Sequence, residues 1–302
     1  MGKFVAASGP HAWEPAALSE QDWLIHLSDT CPVTAPTARS APTCLPPGPA
    51  ARLLAALREG PGFAVLRGLR LDGLDDQACA ELGRRIAALA GTPRPHESAA
   101  PGDHLLSTAH LATTPPPAAP TGPAGPADTQ DPMPEVPALA PHTDRAGPPG
   151  PPHFLALLCV RPAPTGGASL LISAATVHDR LAARHPGQLA ALYADFHFGA
   201  EPGLARTGPV FARHDGRLAV HYNRHQIERG HHVAGVPLGE ARTRALDAFD
   251  GVLAGQDLAL RVPLRRGDLL LLDNTAVLHG RTAFTDHPDP PRRRCLTRSW
   301  AD

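Results

Sequence analysis

The sequence predicts an α+β protein with a mainly β core, a double-sheet jelly-roll barrel with flanking helices. Three observations point there. From residue 154 to 300 the chain runs through nine short apolar segments of strand length, separated by turn signals such as Gly166-Gly167, Asp215-Gly216 and Arg266-Gly267-Asp268. Helical periodicity is confined to a few stretches before and between them. Pro (36) and Gly (28) are abundant among 302 residues while aromatics are only 4%, so much of the chain is loop. Barrel closure removes the exposed edges that many short strands would otherwise present, and the length suffices to enclose a site.

Residues 1–50 read as an irregular, Pro-rich segment, and residues 51–302 as one domain. Within the first, Ser19 and Asp22 form a capping-box pattern ahead of Trp23, Leu24 and Leu27. A helix is expected over 50–59, with Leu53, Leu54 and Leu57 as its apolar stripe and Gly60 as its stop. A strand follows at 63–66, then a helix capped by Asp75 and running to Ala90. Between Pro115 and Pro141 stand ten prolines with scarcely any aliphatic pattern, which predicts a polyproline-like loop or lid over 111–141. Strands are then expected at 154–160, 168–173, 196–198, 210–212, 218–222, 258–264, 268–273, 276–279 and 294–300. Helices are expected at 175–184, 187–194 and 238–253.

Composition excludes several functions. The net charge of −1 provides no field to attract nucleic acid or anionic lipid. Lys3 is the single lysine, which removes Schiff-base chemistry and a P-loop. Cys31, Cys44, Cys79, Cys159 and Cys295 are odd in number and lack a C-x-x-C pair, against a disulfide framework or thiolate zinc site. No apolar run approaches the roughly 20 residues of a membrane span, and no signal-peptide core is evident. A cytoplasmic protein acting on a small molecule, without nucleic-acid or membrane partners, is the expectation; nothing in the pattern specifies an oligomeric state.

Chemistry concentrates in three places. His142-Thr143-Asp144 follows the proline run; in extended chain its outer side chains share one face and can grip one ion. Among 17 histidines such a triplet alone carries little. A second histidine, His279, ends the apolar run Thr275-Ala276-Val277-Leu278. With His142 and Asp144 it completes the two-histidine, one-carboxylate set that binds one face of octahedral Fe(II) and leaves three positions open. Third, Arg294, Leu296 and Arg298 share strand parity, so both guanidinium groups can point into one cavity, where their planar forks match carboxylates.

Taken in order, these residues resemble the taurine dioxygenase and clavaminate synthase-like family of Fe(II)- and 2-oxoglutarate-dependent dioxygenases. The resemblance runs from Gly62-Phe63-Ala64-Val65-Leu66-Arg67-Gly68 through His142-Thr143-Asp144, Leu157-to-Pro162, Gly166-to-Leu171 and Tyr222-Asn223-Arg224. It continues through Arg266-to-Leu270 and His279-to-Phe284 to the Arg294-to-Arg298 spacing. It implies a double-stranded β-helix (jelly-roll, cupin-like) barrel in which His142, Asp144 and His279 ligate Fe(II). It further implies that Arg294 pairs with the distal carboxylate of 2-oxoglutarate, with Ser169 where relatives place a threonine hydroxyl, and that Arg298 meets an acidic group of the substrate. Arg145, beside Asp144, is a second candidate for substrate contact.

With 2-oxoglutarate and O₂ as cosubstrates, the implied reaction releases succinate and CO₂ and oxidises a small substrate, an amino acid or another small carboxylate. Asp144 favours hydroxylation over halogenation, because related halogenases lack a carboxylate at that position. Two other readings stay open: a zinc hydrolase on the same three ligands, and a non-catalytic jelly-roll protein that binds a metabolite. His221 and His225 lack the glutamate of H-E-x-x-H, and His231-His232 reads as part of a polar loop. Arg281 is expected to hold the turn after His279.

Overall fold

The computed structural model describes residues 9–28, 45–94, 133–144, 150–199 and 205–302, and the backbone of residues 105–107. Arg145 and most of the proline-rich stretch, including its proposed lid function, lie outside the described residues.

The first helix, α1 (Glu20–Trp23), forms with the expected capping box between Ser19 and Asp22. It ends after one turn, and Leu24 and Leu27 are not helical. Leu24–His26 instead forms β1, parallel to β2 (Phe63–Arg67), with Ile25 opposite Leu66. The backbone of β2 offers ladder hydrogen bonds that a helix continuing past Trp23 could not use, so tertiary pairing overrides the local pattern. Helix α2 (Pro47–Arg58) begins earlier than expected, with a proline in its first turn, where an amide would lack a helical partner anyway. Helix α3 (Asp76–Ala87) is capped by Asp75, whose Oδ1 accepts from the Ala78 amide at 2.7 Å.

Strands β3 (Pro93–Arg94), β4 (Leu105–Ser107), β5 (Glu135–Val136) and β6 (Leu139–His142) precede β7 (Phe154–Arg161), β8 (Thr165–Gly166) and β9 (Ser169–Ser173). Helices α4 (Ala174–Arg184) and α5 (Pro186–Leu192) lead to β10 (Asp195–Phe198), β11 (Arg206–Pro209), β12 (Phe211–His214) and β13 (Arg217–Val220). After α6 (Arg224–Val233) and α7 (Glu240–Leu253) come β14 (Leu260–Val262), β15 (Leu269–Asp273), β16 (Val277–Arg281), β17 (Phe284–Thr285) and β18 (Cys295–Ala301).

Two sheets carry the architecture. A seven-stranded sheet has the order β1-β2-β15-β7-β18-β3, with β4 also on β18; a four-stranded sheet has the order β14-β9-β16-β6. Between them lies a core of Trp13, Trp23, Phe63, Leu157, Leu272, Leu171, Val277 and Trp300, drawn from both sheets and the N-terminal segment. The outer face of the larger sheet packs Ala156, Leu158, Leu269 and Leu271 against Leu53 and Leu57 of α2 and Leu82 and Ile86 of α3. The outer face of the smaller sheet presents Ile172 and Leu278 to α4, α5 and α7, where Leu181, Leu189, Leu246 and Phe249 are fully buried. The result is a mixed α/β molecule with helices outside and an apolar core between the sheets. Leu269 to Leu272 reads as an unbroken apolar run, without alternation, because both faces of β15 are covered.

One expectation is corrected here. His231 and His232 are in helix α6, not in a loop. Asn223 caps that helix by accepting from the Gln226 amide at 3.1 Å, and buried His231 accepts from the His197 amide at 3.2 Å through Nε2. The polar composition of residues 224–233 hid a helix whose buried face is mainly Ile227, Gly230 and His231.

Candidate active site

The smaller sheet brings the two histidines together directly. His279, the third residue of β16, pairs across the antiparallel ladder with His142 at the end of β6, and their rings lie 4.5 Å apart. The register shifts between His279 and Arg281. Gly280 sits at that irregularity, where a Cβ would fall 2.6 Å from the Leu139 carbonyl oxygen; only glycine allows β6 to approach so closely. Val277, His279 and Arg281 alternate with Leu278 and Gly280, so the histidine shares the inner face with Val277 while Leu278 packs outward.

Asp144 follows two residues after His142. Between them Thr143 is pinned by the backbone of Tyr222: the Thr143 amide donates to the Tyr222 carbonyl at 2.7 Å, and the Tyr222 amide donates to Thr143 Oγ1 at 2.9 Å. Asn274 clasps the next peptide. Its Oδ1 accepts from the Asp144 amide at 2.8 Å, and its Nδ2 donates to the Asp144 and Pro152 carbonyls at 3.1 and 2.9 Å.

The Asp144 carboxylate is buried and its two oxygens are used differently. Oδ1 lies 3.6 Å from His142 Nε2 and 3.4 Å from His279 Nε2. Oδ2 accepts from Trp300 Nε1 at 2.8 Å, with Arg298 Nη1 at 3.5 Å. Burial alone would raise the Asp144 pKa, but the Arg298 charge and the two imidazoles outweigh it and hold the carboxyl well below its usual range. Burial, followed by the nearby His142, lowers the His279 pKa, so that ring is neutral near pH 7.

These three residues fit a metal ion. One ligand atom from each lies within 4.8 Å of the other two. A metal about 2.1 Å from two ligands at right angles separates them by about 3.0 Å, close to the observed carboxylate-to-imidazole gaps. His142 Nδ1 donates to the Ala140 carbonyl at 2.9 Å, which leaves Nε2 as the lone-pair atom facing the others, the usual outer support of a ligating histidine. Three ligands on one side of an ion, with nitrogen and oxygen donors only, suit octahedral iron with open positions.

Arg294 stands just before β18 and is 8% exposed. Its guanidinium lies 5.2 Å from the centre of the Phe284 ring, which Arg281 also covers at 4.5 Å. Its Nε is where the Cβ of any residue but glycine at 167 would press, at 3.3 Å. The backbone amide of Arg294 donates to Asp286 at 2.7 Å, yet no carboxylate meets its guanidinium among the described residues. Burial, and then the Arg281 charge, lower its pKa to about 10. Ser169 is buried at the start of β9, opposite Arg281 in the ladder and therefore on the same inner face.

Of the residues singled out in the sequence, His142, His279 and Arg298 meet around the Asp144 carboxylate, while Ser169 lies opposite Arg281, whose charge acts on Arg294. Trp300 and Asn274 were not anticipated. The strand parity of Arg298 and Trp300 was the available signal for the first; nothing local announced the second.

This arrangement defines a non-haem iron oxygenase site of the facial-triad class. The chain belongs to the taurine catabolism dioxygenase TauD, TfdA family, whose model matches residues 41–300. That family uses Fe(II), 2-oxoglutarate and O₂. Among curated relatives, the chain is 36% identical over 149 residues to uridine-5'-phosphate dioxygenase of a Streptomyces species, covering 47% of this chain and 53% of that protein. It is 30% identical over 158 residues to FR-33289 synthase of Streptomyces rubellomurinus, covering 49% and 47%. The chain thus spans about half the length of the curated relatives it matches. In fold it is similar to asparagine oxygenase solved with Fe(II), 2S,3S-3-hydroxyasparagine and succinate, with TM-score 0.62, 21% identity and coverage of 92% and 93%. It is also similar to the non-haem iron oxygenase OrfP solved with Fe and alpha-ketoglutaric acid, with TM-score 0.62 and 17% identity over 92% and 93%.

Proposed function

We propose that this chain is an Fe(II)- and 2-oxoglutarate-dependent dioxygenase that hydroxylates a small carboxylate substrate such as an amino acid. The observation that carries the reading is the pairing of a His142-Asp144-His279 cluster with a buried arginine, Arg294, whose guanidinium has no hydrogen-bonded carboxylate among the described residues. A zinc hydrolase would need the cluster but has no use for Arg294 or Ser169. The two facing sheets are the halves of a double-stranded β-helix barrel, with the site between them.

In this reading His142, Asp144 and His279 hold the ion. Iron with 2-oxoglutarate and O₂ supplies an oxidant, with succinate and CO₂ released. The protein's own part is positioning. Trp300 and Arg298 occupy Oδ2 of Asp144, so Oδ1 is the oxygen left for the metal. Arg294 receives the distal carboxylate of 2-oxoglutarate as a charge-assisted fork, and the Ser169 hydroxyl adds a second donor. Leu171, Val277 and Leu296 on the inner faces keep water from the reacting centre. Arg298 and Arg145 contact the substrate acid.

A second substrate class has one specific support: the relative at 36% identity is a uridine-5'-phosphate dioxygenase. In that case the anion recognised is a nucleotide phosphate. Substrate-dependent succinate release, measured across amino acids, other small carboxylates and uridine 5'-phosphate, separates the two. Stimulation by an amino acid or another carboxylate supports the first, stimulation by the nucleotide alone supports the second, and 2-oxoglutarate turnover absent with every compound and with iron present contradicts the dioxygenase reading.

A further inference from the structure

We propose that Arg206 on β11 and His221, just after β13, form a subsite for a terminal oxyanion of the primary substrate, a phosphate monoester or a carboxylate. That the oxyanion belongs to the oxidised substrate rests on the dioxygenase reading; that an oxyanion binds there rests on the two side chains themselves.

Both side chains hold polar atoms away from water without satisfying them. His221 is 8% exposed, and its buried Nδ1 has no hydrogen-bond partner among the described residues. Arg206 is half-buried, and its buried Nη1 has none either. Its guanidinium lies 5.9 Å from the centre of the Phe198 ring, the residue opposite it in the β10-β11 ladder. Asp195, exposed at the start of β10, is the acid whose charge acts on Arg206, but the two form no ion pair, and burial outweighs that charge and lowers the Arg206 pKa. Unpartnered buried donors are uncommon in folded proteins, and a bound ligand is one way to complete them.

The backbone brings the pair together. Arg206 and Gly208 share a face of β11, and the guanidinium runs along the strand over the glycine: a Cβ there would stand 3.1 Å from Arg206 Nη2. Two residues on, the Val210 carbonyl accepts from the His221 amide at 2.8 Å. Burial, then the charges of Arg206, His214 and His153, keep the His221 ring neutral near pH 7. A neutral imidazole still donates one N–H and a guanidinium only donates, so a partner that completes both accepts hydrogen bonds and carries negative charge. The pair is also tied to the metal cluster. Tyr222, the residue after His221, pins Thr143 between His142 and Asp144. Val220, the residue before it, donates its amide to the Thr275 carbonyl at 2.8 Å, next to the Asn274 that clasps Asp144. The Asn274 amide in turn donates to the His153 carbonyl at 2.8 Å. A substrate anchored at Arg206 and His221 by its anionic end reaches the cluster with the rest of its length.

Anaerobic calorimetric titration of the full chain, with Fe(II) and 2-oxoglutarate present, tests the proposal by comparing uridine 5'-phosphate with uridine and L-glutamate with L-glutamine. The expected result is at least 10-fold tighter binding of the acidic member of one pair. That preference is abolished in Arg206→Gln, reduced in His221→Asn and kept in Arg52→Gln, which removes an exposed guanidinium from α2. Preference within the nucleoside pair identifies a phosphate monoester, and preference within the amino-acid pair identifies a carboxylate. Gly208→Ala keeps the charge but presses on Arg206 Nη2; it should weaken binding of the acid several-fold, and it tests the site even if Arg206→Gln disturbs β11. The proposal is overturned if neither acid is preferred, or if the preference survives unchanged in Arg206→Gln and Gly208→Ala. Arg206-dependent binding in a protein that turns over 2-oxoglutarate with none of these compounds overturns the dioxygenase reading instead and leaves the oxyanion subsite standing.

Discussion

The Asp144 and Arg294 ends of the inter-sheet space are built on opposite plans. At one, the buried carboxylate of Asp144 is met by an indole N–H, a guanidinium and two imidazoles, and its backbone is clasped by Asn274. At the other, Arg294 is about as buried, shares the Phe284 ring with Arg281, and has no carboxylate hydrogen-bonded to its guanidinium among the described residues. Burying a charge is costly, and burial followed by the Arg281 charge, partly offset by Asp286, lowers the Arg294 pKa. In the proposed reading the first end holds a cation and the second receives an anion.

Removing a ligand at the organised end has the largest expected effect. His279→Ala deletes a donor at the centre of the smaller sheet, and Fe(II) binding and substrate turnover should both fall to background in equilibrium dialysis and succinate assays. Arg294→Ala should break the other end alone: 2-oxoglutarate affinity drops by about 2–5 kcal/mol, the typical loss for one partner of a buried charged contact, while Fe(II) affinity stays within a few-fold. Unchanged cosubstrate affinity would refute the assignment of Arg294.

Trp300→Phe sharpens the comparison, because it keeps the ring but removes the donor to Asp144. Fe(II) affinity should fall about 10–100-fold with 2-oxoglutarate affinity at saturating iron nearly unchanged. Gly280→Ala forces β6 from β16 and should cost about 1–3 kcal/mol of stability, read by chemical denaturation, with weakened Fe(II) binding. A pH effect of similar size comes from His221, which precedes the Tyr222 that pins Thr143. Burial, assisted by Arg206, lowers the His221 pKa to about 4, below the ordinary 6.5. The unfolded chain therefore binds the proton more readily, so stability present above pH 6.5 is lost as pH falls toward 4, by on the order of 3 kcal/mol. In His221→Asn this part of the acid loss should vanish from pH-dependent denaturation curves.

The comparison also explains what could be read from sequence. Arg298 was legible because strand alternation sets residues two apart on one face, whereas His142 and Asp144 meet for a different reason: β6 ends at His142, and Asp144 sits in a bend held by Tyr222 and Asn274. The apolar run before His279 likewise named a buried strand. Trp300 was passed over because an indole at a strand end is ordinary core material until the fold supplies a carboxylate beside it. Asn274 acts through backbone groups of residues 144 and 152, contacts that exist only after the sheets assemble. Strand β1 and helix α6 were missed for opposite reasons. In the first, pairing with β2 ended a helix the local pattern would have extended; in the second, a polar surface masked a small buried face.

The central claim is that the two ends serve one ion and one cosubstrate. Anaerobic addition of Fe(II) and 2-oxoglutarate to the protein tests it most directly. The account predicts a weak visible charge-transfer absorption that is present in the native chain and lost in His142→Ala, Asp144→Ala, His279→Ala and Arg294→Ala. A folded native protein that develops no such band, or one whose band survives replacement of the triad, contradicts it.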